Sequence, residues 1–325
     1  MRISVIFTGG TIGSLTGSEW VGLNSSTNYM LLEKFAERYS GITFNTSEPY
    51  SILSENLTAS QLNLLQSAVE KELSNKPDGI IITHGTDTLQ YAAVAIEFAF
   101  GCTEIPIIFV SADYPLDNPK TNGFINFEAA VEMITSGKEK GVFVSYKNES
   151  ESLVKLHLAS RIFAFNESCA EIGGINSVAA VYENGEISFK DAHRNENPNQ
   201  TGVTEYKENS GLLLVECRPG DSFAYSLDGV RAVLLKPYHS GTLGTDSKSF
   251  AAFCKKANDL GIPVFVSGVK SGIGYESSKA FENLGLIPAP YSTFISLYVK
   301  LWAAVSTGRD LKKAAFEILA QEVAE

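Results

Sequence analysis

Residues 1–14 read MRISVIFTGGTIGS, and they indicate how the fold begins. Ile3 to Phe7 form a short apolar run rich in β-branched residues, which is typical of a central strand covered on both faces. The strand ends abruptly in TGGT (residues 8–11), where glycines permit a tight turn and a close approach of a ligand to the backbone. This turn alone fits three interpretations: a plain strand-to-loop connection, a phosphate-binding loop, or a loop that presents the Thr11 hydroxyl as a nucleophile.

The composition is that of a globular protein in water, with 325 residues, 44% hydrophobic and 19% charged. This length suits two domains. No apolar run reaches the ~18 residues that a membrane span needs, and the first residues run straight into a strand without room for a secretory signal. A net charge of −11 and dispersed basic residues argue against nucleic acid or a membrane as the partner. We therefore expect a cytoplasmic protein that binds a small molecule.

The four cysteines are scattered, at positions 102, 169, 217 and 254. Zinc sites and disulfide frameworks of small secreted domains have closely spaced cysteines, and this chain has no such spacing. We therefore expect buried free thiols and no bound metal.

The first half of the chain alternates apolar strands with helical stretches. Strands are expected at residues 3–7, 79–83, 105–111 and 142–145, and helices near residues 27–38, 58–73, 88–99 and 127–135. Strands separated by helices predict parallel βαβ units, and hence a mostly parallel sheet with helices on both faces.

A polar stretch at 193–210, HRNENPNQTGVTEYKENS, predicts an interdomain linker. Beyond it the alternation resumes on a smaller scale, with strands expected at 212–217, 230–235 and 264–269 and helices near 247–260, 277–284, 294–305 and 311–323. The predicted fold is therefore a larger N-terminal α/β domain, 1–192, the linker, and a smaller C-terminal α/β domain, 211–325.

Ligands of open α/β sheets bind beyond the carboxyl ends of the strands, and three of those ends carry polar residues here. The first is TGGT, the second is HGTDT (residues 84–88), and the third is SAD (residues 111–113). If these strands are neighbours, Thr11, Thr86 and Asp87 converge on one crevice, which favours the nucleophile interpretation. The competing interpretation of HGTDT is an N-capped helix start, and that of His84 is a hydrogen-bonded structural role.

The pair TGGTIG (residues 8–13) and HGTDT resembles the motifs of the L-asparaginase family, and most closely its cytoplasmic (type I) branch. The resemblance continues along most of the chain. It includes SENLT (54–58), FVSADYPLDNPKTNGFINFEAAV (109–131), VKLHLASRIFAF (154–165), CRPG (217–220), YHSGT (238–242) and GYESSKAFENLGLI (274–287).

The resemblance implies roles for individual residues. Thr11 is implied as the nucleophile that attacks the side-chain amide carbon, and Thr86, Lys155 and Asp87 as a second group in which the amine assists a threonine hydroxyl. Free lysine has a pKa of about 10.4, so Lys155 could act as a base only if burial lowered its pKa, and a neighbouring Asp87 would raise it instead. We therefore favour Lys155 as a member of a proton network and an electrostatic stabiliser over a simple base.

The implied substrate contacts suit a zwitterionic amino acid. Ser54 and Asp87 would hold the α-carboxylate and α-ammonium groups, with Glu55 as a further anchor for the ammonium. The backbone at Ala112 would meet the amide that is cleaved.

The chain departs from the family pattern in the loop after TGGTI. The family has a lid tyrosine there, whereas the aromatic residue of this loop is Trp20. Its indole has a donor N–H and no acceptor, so Trp20 cannot take a proton from Thr11 but could still serve as a lid that shuts out water and orders the substrate. Asp113 and Asn122 also replace the usual Met and Asp. We expect these differences to affect the catalytic rate and the preferred substrate more than the fold.

The function that the resemblance implies is hydrolysis of L-asparagine to L-aspartate and ammonia by a homodimer or homotetramer, without a metal or organic cofactor. Two alternatives stay open: the same chemistry on another amide such as glutamine, or an amino-acid-binding regulatory protein that has lost hydrolysis. A dinucleotide-binding oxidoreductase is disfavoured, because TGGTIG lacks the spacing of that motif.

Overall fold

The structure is a computed structural model that describes residues 1–16, 21–24, 26–36, 38–164, 169–191, 194–195, 198–269 and 274–324. The chain divides into two compact units. The first is Met1–Thr204 with Leu319–Gln321, and the second is Glu205–Ile318 with the residues from Glu322 on. The units divide inside the polar stretch 193–210.

The first unit contains a mostly parallel eight-stranded sheet and two small two-stranded sheets. Its strands are β1 (Arg2–Phe7), β2 (Ser14–Thr16), β3 (Val21–Leu23), β4 (Thr43–Ser47), β5 (Gly79–Thr83), β6 (Pro106–Val110), β7 (Gly141–Tyr146), β8 (Val154–Leu158), β9 (Ile162–Ala164), β10 (Ile172–Gly174), β11 (Val178–Glu183) and β12 (Glu186–Phe189). The large sheet has the order β12-β11-β8-β7-β6-β5-β1-β4. Pairing is parallel from β4 to β7 and antiparallel from β7 to β12. β2 pairs with β3, and β9 with β10.

Four helices accompany these strands: α1 (Ser26–Ala36), α2 (Ala59–Ser74), α3 (Leu89–Phe100) and α4 (Gly123–Ser136). They cover both faces of the large sheet. Alternate residues of β1, such as Val5, share a core cluster with Phe35 of α1 and Phe127 of α4. Ser4 points to the opposite face, where its hydroxyl donates a 2.8 Å hydrogen bond to Glu72 of α2. The predicted parallel sheet with helices on both faces is confirmed.

The second unit contains a smaller parallel sheet of order β13-β14-β15-β16. Its elements are β13 (Leu212–Glu216), β14 (Ala232–Lys236), α5 (Lys248–Asp259), β15 (Val264–Val266), α6 (Ala280–Asn283), β16 (Leu286–Pro288), α7 (Phe294–Thr307) and α8 (Leu311–Phe316). The predicted helix 311–323 is wrong beyond Phe316, because Glu317 is extended, with φ of −72° and ψ of 134°, and its carbonyl accepts a hydrogen bond from buried Lys300 at 2.6 Å. The expectation of buried thiols is wrong for Cys102 and Cys169, which are exposed, and is confirmed for Cys217 and Cys254. Among the described residues, no helix of either unit is long and apolar enough to cross a bilayer.

The segment from Leu319 to Ala324 supplies acceptors to two buried cations. In the first unit, Arg161 is 1% exposed and donates to the carbonyl of Gln321 through Nε. In the second unit, Lys300 is 4% exposed and lies 2.6 Å from the carboxylate of Glu322, which is itself buried. Buried charges are costly unless they are paired, so these contacts fix the path of the C-terminal segment.

Candidate active site

The turn after β1 is held in place by hydrogen bonds to two neighbouring segments. The hydroxyl of Thr8 donates to the carbonyl of Thr83 at the end of β5, at 2.7 Å. The amide of Gly10 donates to the carbonyl of Ile52 at 2.8 Å. The amide of Ile52 donates in turn to the carbonyl of Thr8 at 3.1 Å. The end of β1 is therefore fixed between β5 and the segment before SENLT.

The two threonine-bearing turns meet backbone to backbone. A Cβ placed on Gly10 would lie 2.3 Å from both Cα and N of Gly85, and one placed on Gly85 would lie 2.4 Å from Oγ of Ser54. Gly10 also has φ of 74° and ψ of −172°, a conformation that is essentially restricted to glycine. Only glycines allow this approach, so the motifs TGGT, SEN and HGTDT lie against one another at the carboxyl ends of β1 and β5.

HGTDT does not begin its helix with a side-chain cap in the way the competing interpretation requires. α3 starts at Leu89, and its N-cap residue Thr88 makes no capping hydrogen bond. The Thr88 hydroxyl donates instead to the carbonyl of Ser54 at 2.8 Å, and the Ser54 hydroxyl lies 3.4 Å from Oδ2 of Asp87. The polar side chains of this turn are therefore directed at the SEN segment.

The predicted site residues of these segments differ in exposure. Ser54 and Ala112 are buried, Thr11 and Thr86 are partly exposed, and Glu55 and Asp87 are exposed. Thr11 begins a short 3₁₀ helix, Thr11–Gly13, directly after the glycine turn. Hydroxyl groups on two adjoining turns, with an exposed carboxylate beside them, provide the groups that an amide substrate with a charged end needs.

His84 has the structural role that the sequence suggested. Its ring is buried, and Nδ1–H donates to the carbonyl of Gly85 at 2.9 Å, which leaves Nε2 without the proton. Burial lowers the pKa of His84 to about 4, so the ring is neutral at pH 7. His84 thereby orients the peptide group that joins Gly85 to Thr86.

The loop after β6 is closed by a reciprocal pair of residues. The amide of Asp113 donates to Oδ1 of Asn122 at 2.9 Å, and the amide of Asn122 donates to Oδ1 of Asp113 at 3.0 Å. Asn122 also donates from its side chain to the carbonyl of Lys147 at 2.8 Å. The two substitutions noted in the sequence thus form one loop closure immediately beyond Ala112.

Lys155 is placed apart from these turns. It lies on β8, three strands from β5, a separation of roughly 14 Å between strand axes. Its ammonium pairs with Glu151, and it lines a cavity whose lining includes neither Thr86 nor Asp87. The grouping of Lys155 with Thr86 and Asp87 therefore stays a prediction. Trp20 is one of residues 17–20, which lie outside the described residues.

Sequence reasoning missed the positioning roles of Thr8 and Thr88, whose hydroxyls each bond a backbone carbonyl of a neighbouring segment. The sequence feature that could have indicated these roles is their position, since Thr8 is the first residue of TGGT and Thr88 is the last residue of HGTDT.

The chain is similar to known proteins over most of its length. A family model described as asparaginase, N-terminal, matches residues 2–189. One of the subunits of the glutamyl-tRNA(Gln) amidotransferase of Methanosarcina acetivorans is 27% identical over 334 aligned residues, which cover 97% of this chain and 76% of that protein.

Solved structures show the same fold. The thermostable L-asparaginase from Thermococcus kodakarensis superimposes with a TM-score of 0.77 at 21% identity, covering 100% of each chain. A probable cytoplasmic L-asparaginase from Campylobacter jejuni does so with a TM-score of 0.74 at 19% identity, over 97% of this chain and 98% of that one.

Proposed function

This chain belongs to the asparaginase family, and on that premise we propose that it hydrolyses L-asparagine to L-aspartate and ammonia. The observation that carries the proposal is the contact between Gly10, Gly85 and Ser54, where a Cβ on either glycine would lie within 2.4 Å of the neighbouring segment. This contact brings the turns of Thr11 and Thr86 side by side, which a two-threonine mechanism requires.

In the proposed reaction, Oγ of Thr11 attacks the side-chain amide carbon of asparagine. The C–O bond forms, the hydroxyl proton passes to the amide nitrogen, and the C–N bond breaks to release ammonia. Water then cleaves the resulting ester, releasing aspartate and restoring the hydroxyl of Thr11. The proposed oxyanion donors are backbone N–H groups of the two turns other than that of Gly10, which donates to Ile52, and Thr86 supplies the proposed second hydroxyl.

The proposed substrate contacts use the polar groups around Ser54. The carboxylates of Asp87 and Glu55 are exposed and suit the α-ammonium group, and the buried hydroxyl of Ser54 suits the α-carboxylate. The Ser54 hydroxyl lies 3.4 Å from Oδ2 of Asp87, which supports a proposal that both groups contact the same end of the substrate.

The proposed role of Lys155 beside Thr86 and Asp87 requires its own test, since its described partner is Glu151. A Lys155→Met variant loses most ammonia release if the amine belongs to the proton network. Retained activity in that variant rejects the role of Lys155 and leaves the threonine mechanism intact.

The main experiment measures ammonia release from L-asparagine by the purified chain and by Thr11→Ala and Thr86→Ala. Each variant is expected to lose at least about 100-fold in kcat, the range for removing a group that takes part in the chemical step. Thr43→Ala, on the exposed edge strand β4, is the matched control and keeps full activity. Unchanged turnover in both site variants would reject the mechanism.

A second candidate substrate is another amide such as glutamine. The amidotransferase protein from Methanosarcina acetivorans, similar over 97% of this chain, favours it, because an amidotransferase draws its nitrogen from an amide. Ammonia release from a panel of asparagine, glutamine and small peptide amides separates these substrates. Calorimetric binding of asparagine or aspartate without any ammonia release supports a binding protein instead.

We also propose a homo-oligomer, a homodimer or homotetramer, located in the cytoplasm, in keeping with the resemblance to the type I branch. Light scattering on the purified chain measures its mass in solution. A monomer mass at all concentrations contradicts the proposed assembly.

A further inference from the structure

Two asparagine side chains hold the backbone on either side of Ala112. Asn122 is the N-cap residue of α4, and Asn126 lies one turn later on the same helix. The side-chain amide of Asn126 donates to the carbonyl of Ser111 at 2.9 Å, and Oδ1 of Asn122 accepts from the amide of Asp113 at 2.9 Å. These carbonyl and amide groups belong to the two peptide groups that flank Ala112, so each peptide group is held by one asparagine.

The two asparagines are themselves fixed at the end of β7. Asn126 is 0% exposed, its Oδ1 accepts from the amide of Lys147 at 2.9 Å, and its carbonyl accepts from the hydroxyl of Ser145 at 2.7 Å. Asn122 is 7% exposed, and its side chain donates to the carbonyl of Lys147 at 2.8 Å. Buried side chains with several hydrogen bonds keep one orientation, so the peptide groups that they hold keep one orientation as well.

The planarity of the peptide group fixes where the backbone of Ala112 points. In a trans peptide group the carbonyl and the N–H point in opposite directions. The carbonyl of Ser111 points at Asn126, so the N–H of Ala112, in the same peptide group, points away from Asn126. The N–H of Asp113 points at Asn122, so the carbonyl of Ala112 points away from Asn122 in the same manner.

The opposite side of this segment faces the HGTDT turn. β6 lies between β5 and β7 in the sheet. The carbonyl of Val110 accepts from the amide of His84, the first residue of HGTDT, at 2.9 Å. The carbonyl of Ser111 is directed instead at Asn126, which is tied to the end of β7. The N–H and carbonyl of Ala112 are therefore directed to the side of HGTDT.

These two backbone groups of Ala112 are buried and open to a ligand. Ala112 is 0% exposed, yet its N–H and its carbonyl have no hydrogen-bond partner among the residues that the structure describes. A buried backbone donor and acceptor without partners are uncommon and cost free energy. A carboxamide has an acceptor oxygen and N–H donors, so it can satisfy both groups.

We propose that Asn122 and Asn126 are positioning residues for amide cleavage, which hold the N–H and carbonyl of Ala112 toward the scissile amide. This inference rests on the proposed amide hydrolysis. As the C–N bond breaks, the nitrogen receives the proton from Thr11 and becomes more positive. Its N–H then donates more strongly to the carbonyl of Ala112, and ammonia leaves. The contact therefore lowers the barrier to C–N cleavage more than it strengthens substrate binding.

The test compares two substrates of the full chain, L-asparagine and the β-methyl ester of L-aspartate. They share both charged groups, but the methoxy group of the ester has no N–H to donate to Ala112. In Asn122→Ala and in Asn126→Ala we expect kcat for asparagine to fall about 10-fold, the value of a hydrogen bond to a charged group, with KM within about twofold. Methanol release from the ester should stay within about twofold of the parent.

A merely structural role of the two asparagines predicts a different result. Distortion of the whole site lowers turnover of amide and ester alike, and equal losses would therefore overturn the inference, as would unchanged turnover of asparagine. Should Asn126→Ala fail to fold, as seen by circular dichroism, Asn122→Ala alone decides.

Two further variants sharpen the assignment. Asn118→Ala is the matched control, because Asn118 lies in the same loop and its Oδ1 accepts from the amide of Lys120 at 2.9 Å, outside the two peptide groups that flank Ala112. It should keep both activities, and an equal loss of asparagine turnover there contradicts a specific role of Asn122. Asn122→Asp keeps an acceptor for the amide of Asp113 and should recover most of the turnover lost in Asn122→Ala; failure to recover it also counts against the inference.

The parent chain separates this inference from the proposed function. A parent that releases neither ammonia nor methanol refutes the proposed hydrolysis itself. A parent that hydrolyses both substrates, and loses both activities in Thr11→Ala, supports the proposed function whatever the asparagine variants do. The ratio of amide to ester turnover in those variants then decides the inference alone.

Discussion

Replacing Gly10 by alanine tests the contact on which the proposed site depends. The new Cβ would lie 2.3 Å from Cα and N of Gly85 and 3.1 Å from the carbonyl carbon of His84, all backbone atoms. Ordinary contacts of a Cβ begin at 3.4 Å, so the two turns have to separate by about 1 Å. No side-chain rotation relieves this clash.

Two costs add up in the Gly10→Ala variant. A non-glycine residue in this backbone region costs about 1–3 kcal/mol, and overpacking costs a further 1–3 kcal/mol or so. We expect the free energy of unfolding of the first unit to fall by about 4 kcal/mol. Because a displacement of about 1 Å between reacting groups lowers rates by roughly 100-fold, kcat should fall by that factor.

Urea unfolding followed by circular dichroism and steady-state ammonia release measure the two effects. Gly13→Ala is the matched control, because, apart from its chain neighbours, no atom of the described part of the chain lies within 4 Å of a Cβ on Gly13. It should leave both quantities within experimental error. If Gly10→Ala keeps its stability and turns over asparagine within about twofold of the parent, the turns do not meet as described and the reasoning fails.

Three further predictions concern ionisation, a buried ion pair and substrate recognition. Burial lowers the pKa of His84 and His157 to about 4, whereas in the unfolded chain these rings have a pKa of about 6.5. As the pH falls from 6.5 to 4, the unfolded chain therefore takes up protons before the folded chain does. The free energy of unfolding drops over this range by up to about 1.4 kcal/mol per pH unit for each ring. Lys300→Met leaves the buried carboxylate of Glu322 without its cation and should cost about 3–5 kcal/mol in urea unfolding. Ser54→Ala should raise KM for asparagine about 10-fold or more, the value of a hydrogen bond to a charged group, with a smaller effect on kcat.

Each of these predictions has a control. His84→Asn keeps a donor for the carbonyl of Gly85 and should halve the acid sensitivity; an unchanged slope contradicts the assignment to His84. Lys300→Met combined with Glu322→Leu should recover most of the lost stability, and failure to do so means that the pair is not the cause. For Ser54→Ala, a fall in kcat at constant KM argues against substrate binding by that hydroxyl.

The central strands were predictable from the sequence because they are buried on both faces. GIIIT gave the bounds of β5 directly, and β1 and β6 differ from their predictions by one residue at one or both ends. β4 was missed, since TFNTS lies at the edge of the sheet and is largely polar. β8 to β12 were missed because they are short and several are covered on only one face, which leaves no continuous apolar run.

For the site, sequence order and strand-end position were enough to bring TGGT and HGTDT together. The spacing of Gly10 and Gly85 could not be predicted, because it depends on contacts between segments about 75 residues apart. The role of Lys155 stays a prediction: the segment VKLHLASRIFAF resembles its family counterpart, and the ammonium pairs with Glu151 four residues earlier in the chain. Side-chain direction on a strand changes with every residue, so a shift of one position moves a lysine to the other face.

The path of the last residues has a consequence for the stability of this protein. The carbonyl of Gln321 accepts from buried Arg161, and the carboxylate of Glu322 neutralises buried Lys300. Removing residues 321 and 322 would deprive each of these cations of an acceptor at once, so a short stretch of chain contributes to the stability of both units.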